Sequence, residues 1–155
     1  RLQAGDVVIR CALGRSGLTR DKREGDGATP VGVFRLLDLR FRADRSAFIP
    51  CRLPRRPIRC DDGWCDDSRA PNYNRPVRLP SRAGHEDMWR QDELYDLVIV
   101  LDCNLSPRRK GRGSAIFFHC ARPDLSPTAG CVALRKADMR RLLPRLGRRV
   151  ALQIG

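Results

Sequence analysis

The 155-residue chain lacks a long apolar run. No stretch approaches the roughly 20 consecutive apolar residues that a membrane-spanning helix requires, so the sequence predicts no transmembrane segment. The N-terminus also lacks the apolar stretch and the small-residue cleavage site of a secretory signal. Because the chain opens on Arg1, we interpret it as a trimmed or processed product. The missing signal therefore says little about the compartment.

Aromatic and acidic residues are both scarce. Phe, Trp and Tyr total nine, which is thin for binding single-stranded nucleic acid by base stacking. Eighteen acidic residues stand against 31 basic ones, giving a net charge of +13, and such a balance favours polyanionic partners. The arginines are scattered over residues 52–59, 108–112 and 135–149 instead of forming one basic tail. This distribution favours a solvated basic surface over a dedicated nucleic-acid site.

Histidine is limited to two residues, whereas cysteine is abundant and odd in number, at seven. Six cysteines could pair in an oxidising compartment, or all seven could remain reduced. Cys51, Cys60 and Cys65, with His85 further on, raise the question of zinc. Their spacing, Cys-x8-Cys-x4-Cys, lacks the closely spaced Cys-x2-Cys pair of common zinc sites, so we predict no metal site. A local disulfide or buried thiols fit the pattern better.

Hydrophobic patterning predicts a mainly β fold in a single domain covering residues 1–155. The near-continuous apolar run at 95–101 predicts a strand buried on both faces. Further strands are predicted at 7–13, 31–37, 115–119 and 149–154. One short amphipathic C-terminal helix is predicted from a set of apolar residues at helical spacing, and Pro144 should end it early: Met139, Leu142, Leu143 and Leu146. This combination favours a β-sandwich or barrel.

Residues 43–93 form a long, Pro-rich excursion between the predicted strands. Structureless segments of this length are often lids or binding loops in compact domains. We expect short strands or turns within it, and a helical turn around residues 86–91.

His119 and Cys131 form a candidate catalytic pair. A nearby imidazole can take the proton of a thiol or pair with the thiolate, which is the attacking species. Gly130 permits strained backbone and close approach of a substrate, and N–H groups there could stabilise an oxyanion. No third acidic residue is evident, so a backbone carbonyl is a candidate partner for the other ring nitrogen. Cysteine is also often a small buried hydrophobe, so these residues alone leave both interpretations open.

Two separated motifs resemble those of the L,D-transpeptidase (YkuD-like) catalytic domain. The segment "SPTAGCVAL" follows a strand that ends in histidine, as the Ser/Thr-x-Gly-Cys segment of that family does. Far upstream, "DGATPVGVF" is similar to the family's Thr-Pro-x-Gly-x-Phe signature. The two motifs stand in the family's order, and the predicted strands suit its mainly β fold. The resemblance covers most of the chain, from Val7 to Ile154.

The resemblance implies that Cys131 is the nucleophile and His119 the base. It also implies that the carbonyl of Cys120 orients the imidazole, that N–H groups near Gly130 and Cys131 form an oxyanion hole, and that Thr128 positions substrate or thiol. The implied reaction is acyl transfer from a peptidoglycan stem peptide through a thioester to an amine; water as acceptor gives a carboxypeptidase or endopeptidase. Such a dyad needs neither metal nor organic cofactor. A monomer in the periplasm or cell envelope is expected.

The chain departs from the family pattern at three positions around the thiol. Thr128, Ala129 and Ala133 stand where the family commonly has Ser, His and Arg. Arg135 lies two residues after Ala133, so in an extended segment it would face the same side and supply the missing charge. We therefore predict substrate contacts at Thr128, Ala129 and Arg135. The alternative of a different class is a basic nucleic-acid-binding module whose cysteines and histidines are structural.

Overall fold

The computed structural model describes residues 1–46 and 50–155. Within these residues the helix α1 spans Lys136–Leu142, and one turn of 3₁₀ helix follows at Leu143–Arg145. The strands are β1 (Leu2–Ala4), β2 (Val7–Ile9), β3 (Cys11–Ala12), β4 (Leu18–Thr19), β5 (Thr29–Pro30), β6 (Gly32–Phe41), β7 (Arg55–Pro57), β8 (Asp62–Cys65), β9 (Pro76–Arg78), β10 (His85–Asp87), β11 (Leu97–Leu101), β12 (Phe117–Cys120), β13 (Val132–Leu134) and β14 (Ala151–Ile154). The prediction of a mainly β fold with one short C-terminal helix is confirmed. Neither helix of the described residues has the length and apolarity to cross a bilayer.

A seven-stranded mixed sheet organises the described chain. Its order is β14-β6-β11-β12-β13-β3, with β7 beside β6. Strand β11 is buried along its whole length, which confirms the prediction for this apolar run. Strands β12 and β13 are neighbours and run parallel, whereas β11 and β12 are antiparallel. In this register the two strands start together, with Phe118 beside Val132, and end together, with Cys120 beside Leu134.

The central sheet separates two hydrophobic clusters. Phe118 and Val132 pack into one cluster, together with Met139 of α1. Phe117 and Cys131 belong to the other cluster. Successive side chains of a strand point to opposite faces, which explains why chain neighbours are found in different clusters. The candidate nucleophile therefore lies on the sheet face opposite to α1.

The excursion at residues 43–93 is built around a second sheet, with the strand order β10-β8-β9. The short strands expected there are confirmed. The helical turn predicted at 86–91 is wrong, because the chain at His85–Asp87 forms β10 and pairs antiparallel with β8. Residues 47–49 of the excursion lie outside the described residues.

Asn74 fastens the excursion to the central sheet. Its Oδ1 accepts hydrogen bonds from Trp64 Nε1 at 2.9 Å and from the backbone N–H of Ala115 at 3.1 Å. Its Nδ2 donates to the carbonyl oxygens of Cys103 at 3.2 Å and Asn104 at 2.8 Å. The φ of Asn74 is 53°, in the left-handed region that asparagine tolerates better than most residues. One buried amide thus joins β8 to the segments that flank β11 and β12.

One of the two element boundaries that the sequence predicted most specifically needs correction. The strand predicted at 7–13 is two strands, because β2 pairs with β1 whereas β3 pairs with β13. A change of partner interrupts the strand although the residue pattern continues. The predicted helix ends at Leu142, before Pro144, as expected.

Candidate active site

His119 and Cys131 lie on the same side of two adjacent parallel strands. In the register of β12 and β13, Phe118 faces Val132 and His119 faces Ala133. Cys131 directly precedes Val132, so alternation places its side chain on the face of His119. Both residues line one pocket of about 420 Å³. The short interval between them in the sequence is enough because the segment between Cys120 and Val132 leads the chain back to the start of the neighbouring parallel strand.

The imidazole of His119 is held through Nδ1. This nitrogen lies 2.7 Å from the carbonyl oxygen of Cys120. A carbonyl only accepts hydrogen bonds, so Nδ1 carries the proton and Nε2 keeps a free lone pair. The ring of Tyr95 packs edge-on against the imidazole, with 5.3 Å between ring centroids. Burial lowers the pKa of His119 to about 4. Hydrogen bonding to the carbonyls of Cys120 and Leu94 acts in the opposite direction and raises this pKa.

The thiol of Cys131 is buried and hydrogen-bonded. It donates to the carbonyl oxygen of Ala115 at 3.2 Å and accepts from the N–H of Phe117 at 3.3 Å. Burial raises the pKa of Cys131 to about 12; Glu86 adds to the rise, whereas the Phe117 N–H and Lys22 oppose it. At neutral pH the resting pair is therefore a thiol and a neutral imidazole, not a preformed ion pair.

A tight turn ending at the nucleophile carries the thiol. Thr128 Oγ1 donates to the carbonyl oxygen of Cys131 at 2.7 Å and accepts from the N–H of Gly130 at 3.1 Å. The backbone of Thr128 accepts from the N–H of Arg15 and donates to the carbonyl of Leu13, each at 2.9 Å. Thr128 therefore links the turn to the segment that follows β3.

The "DGATPVGVF" segment packs against this turn. Gly130 has a φ of 141°, and a Cβ atom there would stand 2.9 Å from the carbonyl oxygen of Ala28. Only glycine combines this backbone conformation with so close an approach. Asp26 Oδ1 accepts from the N–H of Ala28 at 2.9 Å and forms an ion pair with Lys22. Two motifs that are far apart in the sequence thus form one structure around the thiol.

Charged side chains of both signs line the pocket. Among the described residues, the cations are Arg15, Lys22, Arg90 and Arg122, and the carboxylates are Glu24, Asp66 and Glu86. Sequence reasoning did not single out any of these residues. The only available signal was that Lys22 and Glu24 stand just before "DGATP".

The excursion supplies one wall of the pocket through Asp66, Glu86 and Arg90. Glu86 accepts a hydrogen bond from the hydroxyl of Tyr95, whose ring packs on His119. Burial raises the pKa of Glu86, against the Tyr95 hydrogen bond and the charge of Arg90. Arg90 is itself held by a two-pronged contact to Asp92, at 2.8 and 2.7 Å. Tyr95 thus connects the excursion to the imidazole, through a hydrogen bond at its hydroxyl and a ring contact at its edge.

The structure places the predicted substrate-contacting residues differently. Thr128, Ala129 and Ala133 line the pocket, but Arg135 is not among the described residues that do so. Arg135 is exposed and forms the N-cap of α1. Because β13 ends at Leu134, the alternation that would return Arg135 to the pocket side ends there too.

All seven cysteines, each within the described residues, are unpaired thiols. Among these described residues there is also no group of three or more His, Cys, Asp or Glu side chains arranged to hold a metal ion.

Comparison with known proteins gives one match. The family model of the L,D-transpeptidase catalytic domain, YkuD, matches residues 2–152, which is nearly the whole chain. Neither a curated protein nor a solved structure matches the chain significantly.

Proposed function

Because the chain belongs to the L,D-transpeptidase catalytic domain family, whose members act on peptidoglycan, we propose that it cross-links stem peptides through an acyl-enzyme on Cys131. The observation that carries the proposal is the position of Cys131 and His119 on one face of adjacent strands, in one pocket, with the imidazole proton held at Nδ1. Residues 1–155 act as a single catalytic domain in the cell envelope under this proposal.

In the proposed reaction, Nε2 of His119 takes the proton of Cys131 Sγ while the sulfur attacks a stem-peptide carbonyl carbon. Because the resting pair is neutral, negative charge develops on the sulfur only as Nε2 takes the proton. The tetrahedral intermediate collapses to a thioester, and the departing amine takes the proton from the imidazolium. An acceptor amine then attacks the thioester carbonyl, which forms the cross-link and returns the proton to sulfur.

We assign the role of backbone oxyanion donor to the N–H of Cys131, because the N–H of Gly130 already donates a hydrogen bond to Thr128 Oγ1. Gly130 contributes by allowing the turn to approach Ala28 closely. The carbonyl of Cys120 acts by fixing the tautomer of His119.

Substrate contacts are proposed for residues that line the pocket. Thr128 and Ala129 border the thiol, and Arg15, Arg90 and Arg122 offer guanidinium groups to the carboxylates of a stem peptide. These arginines stand in for Arg135, which lies outside the pocket.

Intact-mass measurement after incubation with a carbapenem, a covalent inhibitor class associated with the family, tests the nucleophile. We expect one adduct, which Cys131→Ala abolishes. Cys103→Ala is the matched control, because Cys103 is equally buried at 8% exposure and does not line the pocket. No adduct, together with tight and salt-dependent DNA binding, would favour the nucleic-acid-binding alternative.

The reaction itself is tested by incubating the protein with peptidoglycan and analysing the digested muropeptides by mass spectrometry. New cross-links that require Cys131 support the transpeptidase. Shortened stems without new cross-links would show that water is the acceptor, and would assign a carboxypeptidase or endopeptidase instead.

A further inference from the structure

The side chain of Lys22 enters the pocket beside the turn that carries the nucleophile. Only 9% of this side chain is exposed. Its Nζ lies 3.4 Å from the position that a Cβ atom of Gly130 would occupy. A buried ammonium group therefore stands next to the residue that precedes Cys131.

Packing and an ion pair hold Lys22 in this position. Its aliphatic part lies against Gly113, where a Cβ atom would stand 2.8 Å from Lys22 Cγ. Its Nζ pairs with Asp26 Oδ1. The same carboxylate also accepts backbone N–H groups, from Ala28 at 2.9 Å and from Arg23 at 2.8 Å. Because Asp26 shares its charge among three donors, it neutralises Lys22 only in part.

The other cations of the pocket are more exposed. Arg15 and Arg122 are solvent-exposed residues, and the guanidinium of Arg90 is paired with Asp92. Solvent screens an exposed charge much more strongly than a buried one. Lys22 is therefore the pocket cation whose field acts most strongly on the buried thiol.

The thiol needs such a cation when it reacts. Proton transfer to His119 leaves a negative charge on Sγ in a buried site, where an unpaired charge is costly. The pocket carboxylates work against that charge, and Glu86 is the foremost of them. The imidazolium opposes this effect. Among the described residues, Glu24, Asp66 and Tyr95 also line the pocket, and the charge of Cys103 acts on the thiol in the same direction as that of Glu86.

We propose that Lys22 stabilises the thiolate of Cys131 as it forms, so that an ammonium group from the loop before "DGATP" completes the catalytic pair. Lys22 acts through its charge, without contact with the substrate, and Asp26 sets its position and its strength. The inference rests on the proposed function only in that Cys131 is the nucleophile.

The experiment is the rate of Cys131 alkylation by iodoacetamide between pH 6 and 10, followed at Cys131 by peptide mass spectrometry. Lys22→Met removes the charge and keeps most of the length of the side chain. We expect it to slow alkylation by about tenfold at each pH, since a neighbouring cation commonly lowers a thiol pKa by a unit or more. Lys22→Arg keeps the charge and should restore most of the rate. Asp26→Asn removes the counter-charge and should accelerate alkylation.

The opposite signs separate an electrostatic role from a structural one, because damage to the loop would change the alkylation rate in the same direction in Lys22→Met and Asp26→Asn. Equal rates in wild type and Lys22→Met would overturn the proposal. If Lys22→Met does not fold, Asp26→Asn decides: a faster rate supports the proposal, and an unchanged or slower rate overturns it. Iodoacetamide reports on the thiolate whatever the natural acyl donor is, so failure to cross-link peptidoglycan would leave this result readable.

Discussion

A Cβ atom at Gly130 would stand 2.9 Å from the carbonyl oxygen of Ala28. The residue before the nucleophile is therefore in direct contact with the second motif of the chain. Because that motif also carries Asp26 and thereby positions Lys22, the geometry of the thiol and its electrostatic environment depend on the same contact.

Gly130→Ala should be destabilising and should slow acylation by a carbapenem. The alanine meets both an unfavourable φ and the Ala28 carbonyl, and such a combination costs about 2 kcal/mol or more. Urea unfolding measures the loss. Gly17→Ala is the control, because Gly17 has a φ of 78° but no atom within 4 Å of its Cβ position. Equal losses in the two variants would show that the Ala28 contact does not matter.

His119→Gln should slow acylation of Cys131 by roughly 10² to 10⁴, the usual effect of removing a positioned base. The rate of carbapenem adduct formation by intact mass measures this. His85→Gln is the matched control, since His85 lies in β10 and is not among the described residues that line the pocket. A wild-type rate in His119→Gln would show that His119 is not the base.

The burial of His119 should make the protein less stable in acid. Its pKa is about 4 in the folded protein, below the 6.5 of a free histidine, so between these two pH values the unfolded chain binds a proton that the folded chain does not. Stability should therefore fall as the pH drops from 6.5 towards 4, by roughly 3 kcal/mol from this group.

Urea unfolding of wild type and His119→Gln at pH 4, 5, 6 and 7 isolates the effect. Titrating carboxylates act equally in both proteins, so the difference between the two curves reports on His119. Parallel curves would mean that the folded protein accommodates the imidazolium.

Asn74→Ala should cost about 3 kcal/mol or more, because it leaves two donors and two carbonyl acceptors in a buried place without their partner. Thermal or urea unfolding measures the loss, and acylation should slow as the excursion detaches from the pocket. Asn72→Ala changes an exposed asparagine two residues away, and it should stay within about 0.5 kcal/mol of wild type.

Local sequence patterns were sufficient for several features. The apolar run predicted the buried strand β11, and the helical spacing of Met139 and Leu142 predicted α1. Both patterns are complete within a few neighbouring residues, so they need no knowledge of distant contacts. Two motifs pointed to Cys131 and His119 as a pair, and the structure places them in one pocket.

The charged wall of the pocket could not be predicted in this way. Glu86 and Arg90 reach it only because β10 pairs with β8 and because Asn74 ties the excursion to the central sheet. These are non-local contacts, and the residues that make them show no periodic pattern. The position of Arg135 outside the pocket lining has a related reason, since alternation holds only as far as the strand extends.

The second sheet has a consequence for how such an enzyme diversifies. The thiol and the imidazole belong to β12 and to the turn that leads into β13. Glu86 lies in β10 of a separate sheet, Arg90 follows that strand, and Asn74 joins this sheet to the first. Mutations in that sheet can therefore change one wall of the pocket while the strands that carry the thiol and the imidazole keep their own sequence. Residues 62–90, with Asn74 retained, are therefore the segment to exchange between relatives when the aim is to alter substrate selectivity.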